Sequence, residues 1–230
     1  MPSRNTVKIY VEGGYYHVYN RGVDKRTIFE DDLDYKVFLH LVKTLLSPVP
    51  PSPKHPLTEV TGFNPVRLRP LTDTLYKEVD LVSFCLMPNH FHLLIRQSTI
   101  NGLTKFMKRL ATSYVMYFNK RNERTGHLFQ GIYKAINVDA DVYLLHLSRY
   151  IHLNPLDLTG MNLVKCLNYP YSSFLYFLGK KKAPWIKPNN VLEHFKSARR
   201  LVLRDYFSYQ SFVEDYKLDA KEIIGALAIE

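Results

Sequence analysis

The segment Glu78-Val79-Asp80-Leu81-Val82-Ser83-Phe84-Cys85-Leu86-Met87-Pro88-Asn89-His90-Phe91-His92-Leu93-Leu94-Ile95-Arg96 holds two apolar runs separated by a Pro-Asn turn signal. Residues 78–86 read as a buried strand and residues 90–96 as its returning partner. Successive side chains of a strand point to opposite faces, so His90 and His92 share one face while Phe91, Leu93 and Ile95 share the other. The second face is apolar throughout and can pack on a core. The first sets two imidazoles side by side, an arrangement that can hold one metal ion. A His-x-His pair also occurs on ordinary half-polar strand surfaces, and the pair alone favours that plainer reading.

Working outward, a first strand is expected around residues 14–20, with another conceivable before Gly13-Gly14, and Asn20-Arg21-Gly22 ends it. Acidic Glu30-Asp31-Asp32 suits a helix start, and Leu33, Val37, Leu41 and Leu45 recur at steps of four, giving a helix over 32–46. Residues 47–76 hold seven of the 13 prolines, which excludes a helix or a central strand there; the stretch reads as an inserted loop. Asn101 or Thr104 opens a helix over 102–121, with Leu103, Phe106, Met107, Leu110, Tyr114, Tyr117 and Phe118 as its buried stripe. The loop Gly126–Gly131 leads into a short strand over 132–138. Asp139 or Asp141 then caps a helix that Pro155 stops near Asn154.

The order is strand, helix, strand, strand, helix, strand, then a further helix. This predicts an α+β fold: a ferredoxin-like βαββαβ antiparallel sheet with helices on one face, plus a small helical C-terminal extension. The other face would be left open for a site or for nucleic acid, with the histidines near the last helix. The expected division is a main domain over 1–160 and a helical extension over 161–230, with helices at 190–203 and 208–228.

Lys plus Arg outnumber Asp plus Glu by 31 to 21, a net charge of +10, which favours polyanionic partners. Two cysteines in no CxxC pair argue against a disulfide framework or a cysteine-rich zinc site and suit a reducing, cytoplasmic location. No apolar run approaches the ~18 residues of a membrane span, and no membrane partner is expected. Lys105, Lys108, Arg109, Lys120, Arg121 and Arg124 form the basic complement of the 102–121 stripe, either a solvated face or one that tracks phosphates.

Tyr150 and Asn154 stand one turn apart on the same helix face, with Tyr143 two turns earlier. Together with His90 and His92 they make a chemical set. Two imidazoles and an amide oxygen can hold one divalent ion, and an N/O donor set suits Mn²⁺ or Mg²⁺ without excluding Zn²⁺. A tyrosine one turn away is a nucleophile in reach of a phosphate held there.

The ordered motifs Tyr16-His17-Val18-Tyr19-Asn20-Arg21-Gly22, Met87–Ile95, Gly126-His127-Leu128-Phe129-Gln130-Gly131, Tyr150-Ile151-His152-Leu153-Asn154-Pro155 and Tyr169-Pro170-Tyr171-Ser172-Ser173 resemble the single-tyrosine HUH transposases, in particular the REP-associated tyrosine transposase branch. The resemblance covers most of residues 15–178. It implies that His90 and His92 bind the divalent metal, with Asn154 as third polar ligand. It implies that Tyr150 attacks a DNA phosphodiester, leaving a 5′-phosphotyrosine and a free 3′-OH. The substrate it implies is single-stranded DNA beside a hairpin, and the basic residues, Arg21 among them, would bind flanking phosphates.

The resemblance leaves the choice between monomer and homodimer open. Tyr143 is a rival nucleophile on spacing, disfavoured by the Tyr-x-x-x-Asn-Pro match at Tyr150. His152 lies off the Tyr150 face and is expected to be structural; His17 and His127 can approach the site or the DNA, and neither is expected to be a ligand. Two other readings stand beside this one: a non-catalytic nucleic-acid-binding module on the same fold, and a metal hydrolase that uses activated water.

Overall fold

The computed structural model describes residues 10–48, 73–196 and 208–215. Most of the proline-rich stretch, the conceivable strand before Gly13 and much of the expected C-terminal helices lie outside the described residues. Four strands, β1 (Tyr15–Arg21), β2 (Val79–Met87), β3 (His90–Gln97) and β4 (Lys134–Val138), form one sheet in the order β2-β3-β1-β4. Every neighbouring pair is antiparallel. With α1 (Asp32–Leu45) between β1 and β2 and α2 (Gly102–Arg121) between β3 and β4, this is the ferredoxin-like βαββαβ arrangement expected from the sequence.

The elements form where their chemistry directs. Asp31 opens α1, its carboxylate accepting from the backbone N–H groups of Leu33 and Asp34. The α2 stripe is buried from Leu103 to Phe118, so its aromatics pack rather than stack on bases. The helix α3 (Asp141–Leu153) is capped at Ala140 with no side-chain bond, so neither Asp139 nor Asp141 serves as its N-cap. Asn154 is its C-cap, yet it keeps helical geometry, and the chain runs on into a 3₁₀ turn over Asn154–Asp157 that contains Pro155.

The strand β3 is the centre of the molecule. Phe91, Leu93 and Ile95 join a core with α1 and α2 on one face. Leu94, with Val82 and Cys85 of β2, joins a second core on the other face. That second face is not left open. Leu144, Leu147 and Ile151 of α3 cover it, together with residues from the short helices α4 (Leu163–Leu167), α5 (Phe174–Phe177), α6 (Asn189–Lys196) and α7 (Tyr209–Glu214). The helices after residue 161 therefore share a core with the sheet. Among the described residues no helix is long and apolar enough to cross a membrane.

The motif segments that are far apart in sequence meet at the sheet. Gly22 donates to the carbonyl of Asn89, Val23 to that of Leu128, and Gln130 to that of Arg21. A side chain at Gly22 would stand 2.2 Å from the Arg26 carbonyl oxygen, so only glycine fits that turn. Along the outer edge of β2, Leu86 donates to the Tyr171 carbonyl and Ser173 to that of Phe84, closing an otherwise open edge.

Helix α3 is tied to the sheet by a buried polar relay. The Phe84 N–H donates to Ser173 Oγ at 2.8 Å, and Ser173 Oγ lies 2.7 Å from His152 Nε2. His152 Nδ1 lies 2.7 Å from the Tyr209 hydroxyl, which donates to Ser148 Oγ at 3.0 Å. Ser148 in turn donates to the Leu145 carbonyl. One proton order satisfies this chain: Ser173 donates to Nε2, its closer acceptor than the Phe84 carbonyl at 3.2 Å, and Nδ1 donates to Tyr209. His152 is therefore neutral and structural, as expected. Burial pushes its pKa down to about 3.

A depressed histidine stabilises the fold above its unfolded pKa and loses that contribution as pH falls toward the folded value. From pH 7.5 to pH 5, His152 alone is expected to lower unfolding free energy by about 2 kcal/mol. Urea denaturation at the two pH values checks this. His152→Ala is expected to lose roughly 2–4 kcal/mol at pH 7.5 and to show a flatter pH dependence; unchanged stability would mean the relay carries no weight.

Candidate active site

The site is built on the face of the sheet that α3 covers. Antiparallel register sets Tyr19 opposite His92, Arg21 opposite His90 and His17 opposite Leu94, so these β1 side chains share the histidine face. The rings of His90 and His92 stand 5.0 Å apart and nearly perpendicular. His17 lies parallel to His92 at 5.1 Å, with Nε2 2.8 Å from His92 Nδ1. His90 Nδ1 lies 2.6 Å from Asn89 Oδ1.

That oxygen can only accept, so His90 carries its proton on Nδ1 and its Nε2 presents a lone pair. His92 is fully buried, and its Nε2 makes no well-formed hydrogen bond. A buried imidazole nitrogen without a well-formed hydrogen bond, beside the Asn154 amide, suits a cation ligand.

Asn154 completes the set from the end of α3. Its backbone N–H and its Nδ2 both donate to the Tyr150 carbonyl, the latter at 2.9 Å. This uses the amide nitrogen and leaves Oδ1 for the histidines. The side chain stands close enough to both rings to favour their protonated forms. Burial outweighs this and holds both below the ordinary histidine value, His92 far below; Arg21 adds to the effect at His90, and the neighbouring His17 and His90 add to it at His92. Both rings are thus neutral at pH 7, the form in which imidazole binds a cation.

Among the described residues no group of three His, Cys, Asp or Glu could hold a metal; the candidate set joins two histidines to the Asn154 amide. Two neutral nitrogens and one amide oxygen fit a divalent ion of the Mn²⁺ type.

Tyr150 is half-buried on α3, its ring edge-on to His92 at 5.5 Å and to His17 at 6.2 Å. It faces His92 and His17. Tyr143 sits two turns earlier and is 43% exposed, away from that cluster.

The basic residues divide sharply. Arg21 is at the site, opposite His90, and its guanidinium reaches Gln130 Oε1 at 3.1 Å. Helix α2 lies on the other face of the sheet, so its cations do not line the histidine cluster. Several are also engaged locally. Arg121 holds the α1 carboxylates of Asp31 and Asp34, the latter at 2.6 Å. Lys105 pairs with Glu78 at 2.8 Å and Arg109 with Asp73 at 2.5 Å. Arg124 donates to Asn119 at 2.9 Å, while Lys108 and Lys120 are exposed. His127 is exposed on its loop.

His17 is the residue that sequence reasoning undervalued. The signal was available: it lies in a strand whose alternation puts it with Tyr19 and Arg21. Its contact with His92 depends on the β1–β3 register, which spacing alone does not give.

Residues 74–154 match the family described as "Transposase IS200 like". The matched segment runs from just before β2 to Asn154 and holds His90, His92, Tyr150 and Asn154 together. No curated protein matches the chain in sequence. Among solved structures, a REP-associated tyrosine transposase bound to a REP hairpin superposes with a TM-score of 0.53 and 12% identity, covering 80% of this chain and 91% of that one. At that identity the likeness is one of fold. The tRNA(His) guanylyltransferase of Saccharomyces cerevisiae aligns over 99% of this chain and 83% of its own at 10% identity, but its TM-score of 0.35 is too low to bear on the reading. The resemblance to tyrosine transposases carried by the motifs is thus borne out by a family match over the site and by a shared fold.

If the three donors bind a cation in the folded state only, Mn²⁺ should raise the thermal midpoint of the wild type in a concentration-dependent way. The same titration on His90→Ala should show little shift. A full shift in that variant would place the ion elsewhere.

Proposed function

We propose that this protein is a transposase-type enzyme that cleaves and rejoins single-stranded DNA beside hairpins, with Tyr150 as the nucleophile. The observation that carries the reading is the convergence of Tyr150, His90, His92 and Asn154 on one face of the sheet, within a segment that matches the IS200-like transposases. The shared fold with a transposase that binds a REP hairpin supports hairpin DNA as the partner.

In the proposed reaction the Tyr150 phenolic oxygen forms a bond to phosphorus of a phosphodiester. The bond from phosphorus to the 3′ oxygen breaks. The tyrosyl proton is lost and the departing oxygen gains one, giving a 5′-phosphotyrosine and a free 3′-OH. One phosphoester replaces another, so rejoining is the reversal and needs no nucleotide triphosphate.

His90, His92 and Asn154 would hold Mg²⁺ or Mn²⁺, which when bound polarises the phosphoryl oxygen. Arg21 stands beside His90 and is the cation best placed for a phosphate at the site. Lys105, Lys108, Arg109, Lys120, Arg121 and Arg124 would meet only DNA that passes around to the α2 face. Of these, exposed Lys108 and Lys120 suit that role better than Arg121, which is committed to α1.

The test is incubation with hairpin-flanked single-stranded oligonucleotides and Mn²⁺, followed by denaturing electrophoresis. A protein–DNA adduct is expected. Tyr150→Phe should abolish it by at least about a thousandfold, since no other step replaces the lost nucleophile. Tyr143→Phe should leave it intact. Cleavage that persists in Tyr150→Phe without an adduct would establish water as the nucleophile and overturn the proposal.

A further inference from the structure

The pairing of His17 with His92 is not used by the chemistry above, yet it is a direct, fully buried contact at 2.8 Å in the site core. We infer that His17 is a positioning residue: it accepts the Nδ1 proton of His92 and so keeps the Nε2 lone pair of His92 facing His90 and Asn154. The inference rests on reading His90, His92 and Asn154 as the cation donors.

Both rings are fully buried, stacked at an interplanar angle of 13°, with Nε2 of His17 2.8 Å from Nδ1 of His92. One proton occupies that contact, because two nitrogens 2.8 Å apart cannot both carry one. If the proton sits on His17, His92 must hold its own on Nε2, which then points an N–H at the donor cluster and cannot bind a cation. If it sits on His92, Nε2 is a lone pair. His90 has its proton fixed on Nδ1 by Asn89 Oδ1, an obligate acceptor. His92 has only His17 for the same purpose.

The arrangement is that of a ligand imidazole whose second nitrogen is oriented by a partner behind it. A β1 residue is thus placed to set the tautomer of a β3 ligand. The ring of His17 also backs Tyr150 at 6.2 Å, so a purely packing role is the alternative to be distinguished.

Two substitutions separate them. His17→Phe keeps an aromatic ring against His92 and Tyr150 but offers no acceptor. His17→Gln loses the ring but presents an amide oxygen near the old Nε2 position. Mn²⁺ affinity is measured by calorimetry on each full-length variant, with thermal unfolding of the metal-free protein as the check on folding.

The positioning role predicts that His17→Phe binds Mn²⁺ roughly 10- to 100-fold more weakly while its metal-free thermal midpoint holds, and that His17→Gln binds within about threefold of wild type. Wild-type affinity in His17→Phe, or a larger loss in His17→Gln than in His17→Phe, would overturn it. Should His17→Phe fail to fold, a loss of about tenfold or more in His17→Gln would overturn the role; should His17→Gln fail to fold, wild-type affinity in His17→Phe would. His92→Ala is the control for the underlying reading. If it binds Mn²⁺ as wild type does, the donor assignment fails and the inference with it; if it does not, a failure at His17 belongs to the inference alone.

Discussion

Strand β3 is buried on both faces, and that constraint governs the rest of the molecule. Phe91, Leu93 and Ile95 face α1 and α2, while His92 and Leu94 face α3. A slip of one residue would exchange the faces and put two imidazoles into an apolar core, at a cost of several kcal/mol in unpaired polar groups. The register that keeps the aromatic residues with α1 and α2 is therefore the register that assembles the histidines. Folding and site formation are the same event here.

The second requirement is that α3 stay on the histidine face at a fixed depth. Apolar packing by Leu144, Leu147 and Ile151 supplies the attraction but slides easily along a helix axis. The relay from Phe84 through Ser173, His152 and Tyr209 to Ser148 supplies position, because each link is directional and buried. His152 and Tyr150 are two residues apart on one helix, so the relay that fixes one sets the other. This gives the helices after residue 161 a part in placing Tyr150: α7 contributes Tyr209, and the segment before α5 contributes Ser173. Their burial against Val82, Cys85 and Leu94 makes them part of the unit that presents the tyrosine.

Much of this was legible in the sequence, for physical reasons that vary by element. The strand pair around Pro88-Asn89, the stripes of α1 and α2, and the stop at Asn154-Pro155 rest on periodicity and turn chemistry, which are local. The histidine face was read from alternation alone and is where alternation puts it. What was not legible depends on long-range geometry. Helices α4 and α5, of five and four residues, are too short to display a 3.6-residue period, and no local pattern in α6 or α7 says which surface their apolar residues cover. The engagement of Arg121 by Asp31 and Asp34 joins residues almost ninety positions apart, and a charged stripe on α2 gave no hint of it. His17 met His92 for the same reason, through strand register.

The central claim is that α3 delivers Tyr150, and not Tyr143, to a phosphate beside the histidine cluster. The most direct measurement is mass spectrometry of the nuclease-trimmed, trypsin-digested adduct formed with a hairpin-flanked oligonucleotide. Arg149 and Lys165 place Tyr150 and Tyr143 on different tryptic peptides, Tyr150–Lys165 and Ala135–Arg149. The account predicts the 5′-phosphonucleotide mass on the peptide that carries Tyr150. The same mass on the peptide that carries Tyr143 would contradict it.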